Sequence, residues 1–413
     1  MKSSTCLACP RKTLFVVTAI LLLATGAMAS TEKILANFSG TPDGDEPYAG
    51  VVFDSAGNLY GTTHYGGANS FGSVFQLTPG TAGKWTKNIL FSFTGGNDGG
   101  EPYGDLIVDA SGAVYGTAEL GGTLGHGVVF KVTPGTGGKW TESVLYNFGF
   151  GAVGSQPMGA LVFDSAGNLY GTTYAGSTFE YGCAYELSPG SGGKWNGHIL
   201  HAFNSNGHDG TNPYAGLIFD TAGNLYGTTK YGGANAAGVV FELTKGTTGK
   251  WTETLVHTFN PGNGRDGAEP LGALVMDSTG NLYGTAVSGG AQKFYGVVYQ
   301  LSFDTTTGKW TETILHSFTD ASDGGEPQSS LAIDSTGSVY GTTFTGGSAG
   351  VLFRLTKGST GKWQETVLHT FGKQSGDGKN SDSGLIWDST GNLYGTTQNG
   401  GTGSLGTVFE LTP

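Results

Sequence analysis

Four histidines, His201, His257, His316 and His369, stand in matching contexts, HILHAF, TLVHTF, TILHSF and TVLHTF. Imidazole is the commonest metal ligand and a general base near neutral pH, so its recurrence invites a metal reading. A second series is acidic. Asp43, Asp98, Asp209, Asp266, Asp323 and Asp377 each precede a glycine, and Glu46, Glu101, Glu269 and Glu326 follow three residues after four of them. A ring of such carboxylates attracts Ca²⁺ or a cationic ligand. A third series does not repeat at all. The residue after GTT or GTA is His64, Glu119, Tyr174, Lys230, Val287, Phe344 and Gln398 in turn. Finally, GTGGKW (135–140) and GSTGKW (358–363) resemble phosphate loops.

Which of these chemistries is available depends on the elements that carry them. The stretch GNLYGTT occurs at 57–63, 167–173, 223–229 and 391–397, with near-copies beginning at Gly112, Gly280 and Gly337. Its tyrosines, Tyr60, Tyr115, Tyr170, Tyr226, Tyr283, Tyr340 and Tyr394, are 54 to 57 residues apart. A fixed period of this size marks a repeat architecture. Each period holds four short runs rich in β-branched and aromatic residues. In the fourth they are GLIFD (216–220), NLYGTT (224–229), GVVFELT (238–244) and KWTETLVHTF (250–259). Gly, Asp, Asn and Pro separate them, and no run has a helical period.

Seven such repeats predict an all-β fold, a seven-bladed β-propeller of four-stranded blades. The last repeat stops at FELTP (409–413), one strand short. TEKILANF (31–38) matches the missing fourth-strand pattern, so residues 30–38 are expected to close the ring as the outer strand of the last blade. Closure removes an open sheet edge. In GNLYGTT the preceding aspartate caps a tight turn, the glycine supplies positive φ, and Leu and Tyr pack on opposite blade faces.

This frame sorts the candidates. The histidines lie on the outermost strand, roughly 20 Å from the axis, so equivalents on adjacent blades are too far apart to share a metal. They are expected to be packing or surface residues. The glycine-lysine stretches precede tryptophan and a strand, whereas a phosphate loop needs Ser or Thr opening a helix. The corners are read as turn formers, with Ca²⁺ the one ion to weigh; no resident cofactor or metal is expected. The non-repeating position is different. Packing favours like residues at equivalent sites, whereas a ligand has no sevenfold symmetry. His64, Glu119, Tyr174, Lys230, Phe344 and Gln398 are therefore the predicted ligand-binding residues, on the corner-loop face around the channel mouth. The third repeat also departs from pattern, with Val153 for the corner Asp, Ser177 for a loop glycine, and Cys183 for a valine, read as a small buried hydrophobe.

The 413 residues include 76 glycines, yet 7 Trp, 18 Tyr and 23 Phe argue against disorder. Residues 1–29 read as a secretory signal peptide: Lys2, Arg11 and Lys12, an apolar run over 14–27, then Ala27-Met28-Ala29. Its removal takes the formal charge from −12 to −15. Such acidity speaks against nucleic acid or anionic lipid as partners, and no later stretch spans a membrane. Cys183 alone remains after cleavage, which precludes an intrachain disulfide. The expectation is a secreted or periplasmic monomer.

The unit GLIFDSAGNLYGTT…GG…GVVFELTP…KWTETVLHSF resembles the GloVer-type tandem-repeat proteins, exported bacterial proteins, over all seven units; its D-x-x-G-N-L-Y core is more loosely similar to propellers of the NHL type. The resemblance implies a secreted repeat protein and brings no reaction and no catalytic residues. Relatives often end in an anchoring segment, and a chain ending at Pro413 after a strand is expected to be released freely. The function expected is binding of a small molecule, glycan or protein on the corner-loop face, where Tyr65, Tyr174, Tyr231 and Phe344 offer faces for sugar rings. The alternatives are a lyase or hydrolase at the channel mouth and a structural surface protein. A deep pocket with converging carboxylates and a perturbed histidine favours the enzyme; a shallow aromatic groove favours binding.

Overall fold

The structure is a computed structural model that describes residues 30–151 and 153–413; the signal-peptide reading, with Cys6 and Cys9, falls outside them. Seven antiparallel four-stranded blades follow one another along the chain. In blade one the strands are Val52–Phe53, Leu59–Thr63, Ser73–Pro79 and Trp85–Ser92, paired in that order from the axis outward. The other inner strands begin at Ile107, Val162, Ile218, Val275, Ala332 and Ile386. No α-helix occurs among the described residues.

The hairpin code works as its residues predict and does more. Asp54 Oδ1 accepts the N–H groups of Ala56 and Asn58, each at 2.9 Å, and Gly57 takes φ 83°. Asp54 Oδ2 also accepts the Tyr60 hydroxyl at 3.0 Å, so the turn is tied to the strand behind it. The same bond forms from Tyr115, Tyr170, Tyr283, Tyr340 and Tyr394 to their turn aspartates. Gly61 must lack a side chain, because a Cβ there would lie 2.5 Å from the Phe75 ring of the next strand.

Leu59 and Tyr60 feed two different cores. Leu59 packs with Phe75, Tyr394 and Val408, toward blade seven; Tyr60 packs with Leu106, Val114 and Phe130, toward blade two. Seven such clusters fill the seven blade interfaces. The apolar core is thus a ring rather than a centre, and the axis is left for other residues. The ring closes as predicted: Thr31–Asn37 pairs antiparallel with Thr407–Thr412, from Thr31 opposite Thr412 to Asn37 opposite Thr407. Phe38 is fully buried in the closing interface.

The recurring histidines are inter-blade joints. His201 Nε2 lies 3.1 Å from Asp209 of the following corner and 3.6 Å from Glu253 on the next outer strand. His257 meets Asp266 at 3.2 Å and Glu312 at 3.4 Å in the same way. His369 joins Asp377 at 3.2 Å, and Glu32 of the closing strand is grouped with them. The corner aspartates also cap their turns, as Asp266 does for the Asn260 N–H at 2.7 Å. They therefore sit at these outer joints, and only the corner glutamates reach the channel. The departures in blade three belong together. Tyr146, Val153 and Gly197 occupy the His, Asp and Glu places, and a Cβ on Gly197 would lie 2.6 Å from Val153 and 2.8 Å from the Tyr146 hydroxyl. An apolar joint replaces an ionic one. Cys183 is fully buried, as expected, and burial pushes its thiol up to about 11.

Candidate site at the channel mouth

Each corner runs from the outer strand of one blade to the axis, and three sets of positions build the mouth. The first is Glu46, Glu101, Gln156, Asn212, Glu269, Glu326 or Asn380, and all seven have left-handed φ of 50° to 57°. This conformation costs a side-chain-bearing residue about 1 kcal/mol. Six residues later the chain enters the inner strand, after passing the axis. The strand after GTT or GTA pairs with the left-handed residue: the N–H groups of His64, Tyr174, Lys230, Phe344 and Gln398 donate to the carbonyls of Glu46, Gln156, Asn212, Glu326 and Asn380. In blade two the ladder sets Glu119 opposite Glu101. The non-repeating residues and the left-handed residues thus form one double ring.

Inside it lies a third position that sequence reasoning passed over. Two residues beyond the left-handed one come Tyr48, Tyr103, Met158, Tyr214, Leu271, Gln328 and Asp382, which line the axial cavity. The cavity measures about 540 Å³ with its open mouth included. Its signal was in the sequence: a position after a proline in six of the seven repeats and before small residues, where tyrosine stands three times and Met, Leu, Gln and Asp once each. The threonines of GTT hold this segment. Thr172, Thr285 and Thr396 donate to carbonyls of the next blade at Ala215, Ser329 and Ala49.

The rings meet through aromatic side chains. Tyr48 and Tyr103 stack with centroids 4.9 Å apart, and Tyr103 meets Tyr214 edge-on at 5.2 Å. Of the predicted residues, His64 packs 4.8 Å from Tyr48, Tyr174 lies 6.2 Å from Tyr214, and Lys230 Nζ sits 6.0 Å from the Tyr214 ring. Glu119 accepts from Gln156 Nε2 at 2.9 Å, and Gln398 Nε2 lies 3.4 Å from Glu46 Oε2. Phe344 is half-buried and takes its place in the ring through its backbone. Tyr65 and Tyr231 flank the mouth, Tyr65 against His64 at 4.4 Å and Tyr231 beneath Lys230 at 5.1 Å.

Charge at the mouth is mostly negative and poorly solvated. Asp382 keeps some solvent contact from the channel yet is surrounded by protein, and its Oδ1 is buried without a hydrogen-bond partner. Burial, and then Glu326, push its carboxyl up to about 7. Burial also raises Asp105, despite the Gly50 N–H that it accepts at 2.6 Å. Glu101 and Glu119 are raised, chiefly by burial. His64 is only 6% exposed, and burial lowers it, favouring the neutral ring. The arrangement offers aromatic faces, carboxylates and one neutral imidazole around a single cavity.

Comparison with known proteins agrees with the fold. Two structures of the extracellular domain of BT4673 from B. thetaiotaomicron, described as a one-component and as a hybrid two-component system, superpose with TM-scores of 0.53, at 12% and 11% identity. Each match covers 91% of this chain but only 40% and 39% of those chains, so this chain spans about two-fifths of their length. At that identity the likeness shows the fold alone. No curated protein matches the sequence. The Gloeobacter/Verrucomicrobia repeat matches residues 22–217, 139–348 and 295–413, which together take in every blade. The chain belongs to the Gloeobacter/Verrucomicrobia repeat family.

Proposed function

We propose that this protein is an exported binding propeller that takes a small ligand into the channel mouth. One observation carries the reading. A frame repeated seven times breaks its symmetry at two rings of side chains, and those rings touch each other over one cavity. Stability needs no such variety, since the apolar cores between blades reuse nearly the same Leu, Tyr, Val and Phe positions. A concave, partly apolar site with a few placed polar groups is the usual form of a ligand pocket. Export rests on the reading of residues 1–29, and no helix among the described residues is long and apolar enough to cross a membrane. Glycans are the first class to try, since Tyr174, Tyr214 and Tyr231 offer ring faces. The test is a glycan and metabolite binding screen on residues 30–413. Tyr174→Ala and Lys230→Ala should each weaken the hit by roughly tenfold, the loss of about 1.4 kcal/mol, with melting temperature unchanged. Hits insensitive to both substitutions would move the site elsewhere.

A second reading, a lyase or hydrolase, is favoured by the neutral His64 beside Glu101 and Glu119. Turnover of a screened glycan, lost in Glu119→Gln, would decide for it.

A further inference from the structure

Histidine and carboxylate ligand atoms gather within 4.8 Å of one another at four places among the described residues. Three of them are equivalent joints between blades, Glu32–His369–Asp377, His201–Asp209–Glu253 and His257–Asp266–Glu312. In each, the histidine Nε2 is spent on the corner aspartate at 3.1 to 3.2 Å. These belong to the frame. The fourth group, His64, Glu101 and Glu119, occurs once.

We propose that His64, Glu101 and Glu119 bind one divalent transition-metal ion in the wall of the channel mouth. His64 is held at Nδ1 by the Pro102 carbonyl, 3.3 Å away. A carbonyl only accepts, so Nδ1 carries the proton and Nε2 presents its lone pair, the arrangement typical of a ligating histidine. Nε2 lies 3.8 Å from Glu101 Oε2. That is too long for a hydrogen bond. It suits two ligands of one ion, each about 2.0–2.2 Å from the metal and so roughly 3–4 Å apart.

The glutamates give an independent reason. Glu101 and Glu119 face each other directly across an antiparallel pair. Like charges so placed destabilise a sheet. The other six blades avoid it, setting Glu46 against His64, Gln156 against Tyr174, Asn212 against Lys230, Glu269 against Val287, Glu326 against Phe344 and Asn380 against Gln398. A cation between the two carboxylates removes the repulsion. Glu119 is already oriented by the Gln156 amide at 2.9 Å, a supporting contact of the kind metal ligands have. One nitrogen and two carboxylates suit Zn²⁺, Co²⁺ or Mn²⁺; Ca²⁺ prefers six to eight oxygens. Three protein ligands leave a position open beside Tyr48 and Tyr103, whose rings lie 4.8 and 5.6 Å from the imidazole. The site stands whether or not an organic ligand occupies the channel.

The experiment strips residues 30–413 with chelator, then titrates Zn²⁺ by calorimetry and Co²⁺ by its visible absorption, with Ca²⁺ as control. The expected result is one equivalent of Zn²⁺ or Co²⁺, no Ca²⁺ binding, affinity at least ~10-fold weaker in Glu119→Gln and His64→Gln, and no change in Glu312→Gln at a repeated joint. Glu119→Gln keeps shape and size, so it decides if His64→Gln fails to fold. No saturable one-to-one binding, or binding untouched by Glu119→Gln, or binding weakened equally by Glu312→Gln, overturns the proposal.

Discussion

Asp382 is the residue at which the channel departs furthest from a comfortable interior. A buried carboxylate without a partner holds its proton, because transfer of the charged form from water is unfavourable. Its carboxyl, up at about 7 in the folded chain, returns to the ordinary range near 4 when unfolded. Between those values the folded state binds the extra proton, so this group's contribution falls as pH rises through that window. Asp382→Asn should therefore melt higher than the parent at pH 8, by on the order of 2–4 kcal/mol, and equally at pH 4. A variant no more stable at pH 8 would show that the carboxylate is solvated after all. Natural chains keep such a cost where function needs it, which places Asp382 with the tyrosines in the candidate pocket.

At the scale of the element, the joints between outer strands set the pH response of the fold. Burial pushes Glu32, Glu142, Glu253 and Glu365 up to about 7 and Glu312 to about 8. Burial lowers His201 and His257, but their Asp and Glu partners together outweigh it and raise both. All of these groups are more protonated folded than unfolded, so the glutamates' contribution is complete below about pH 4.5 and is lost as pH rises through about 7 to 8, and that of the histidines is lost as pH rises above about 6.5. The turn aspartates run the other way: their hydrogen bonds outweigh burial and hold Asp109 and Asp388 at about 2, a contribution lost as pH falls below about 4. Melting temperature should therefore peak near about pH 5 and decline toward pH 8.5, less steeply in Glu312→Gln. A profile that rises from pH 5 to 8.5 would exclude these joints as the controlling groups. The apolar joint of blade three makes a separate prediction. Val153→Asp places a carboxyl against Tyr146 and Gly197 with no histidine to meet it, and should cost about 3 kcal/mol, measured by denaturant unfolding. Adding Tyr146→His and Gly197→Glu should recover much of that loss.

For the whole molecule, the closing strand is the critical piece. Thr31–Asn37 covers the last blade, which joins strands from both ends of the described residues, and Phe38 fills its interface with blade one. Residues 39–413 alone should melt lower by on the order of 10 °C, because a sheet edge and a core position are exposed together. A peptide of residues 30–38 supplied in trans should restore part of the shift. Unchanged melting after the deletion would mean that the ring does not depend on this latch.

The repeats themselves carried the fold. Tyrosines 54 to 57 residues apart, four β-patterned runs per period and a strand missing from one end but present at the other leave little choice but a closed seven-bladed ring. Period, turn chemistry and strand alternation are local properties, and a sequence displays them directly. The same logic found half of the mouth, through the position that refuses to repeat: His64, Glu119, Tyr174, Lys230, Phe344 and Gln398. What only the tertiary structure decided was which residues of different blades come together. His201 finds Asp209 and Glu253 because the corner turns back over the blade edge, a path no spacing rule specifies. Tyr48, Tyr103, Tyr214 and Asp382 converge because sevenfold closure brings to one axis positions that are 55 to 334 residues apart in the chain. Glu101 opposes Glu119 because the corner and the second strand pair in that register. Side-chain identity belongs to the sequence, but distance between blades belongs to the ring.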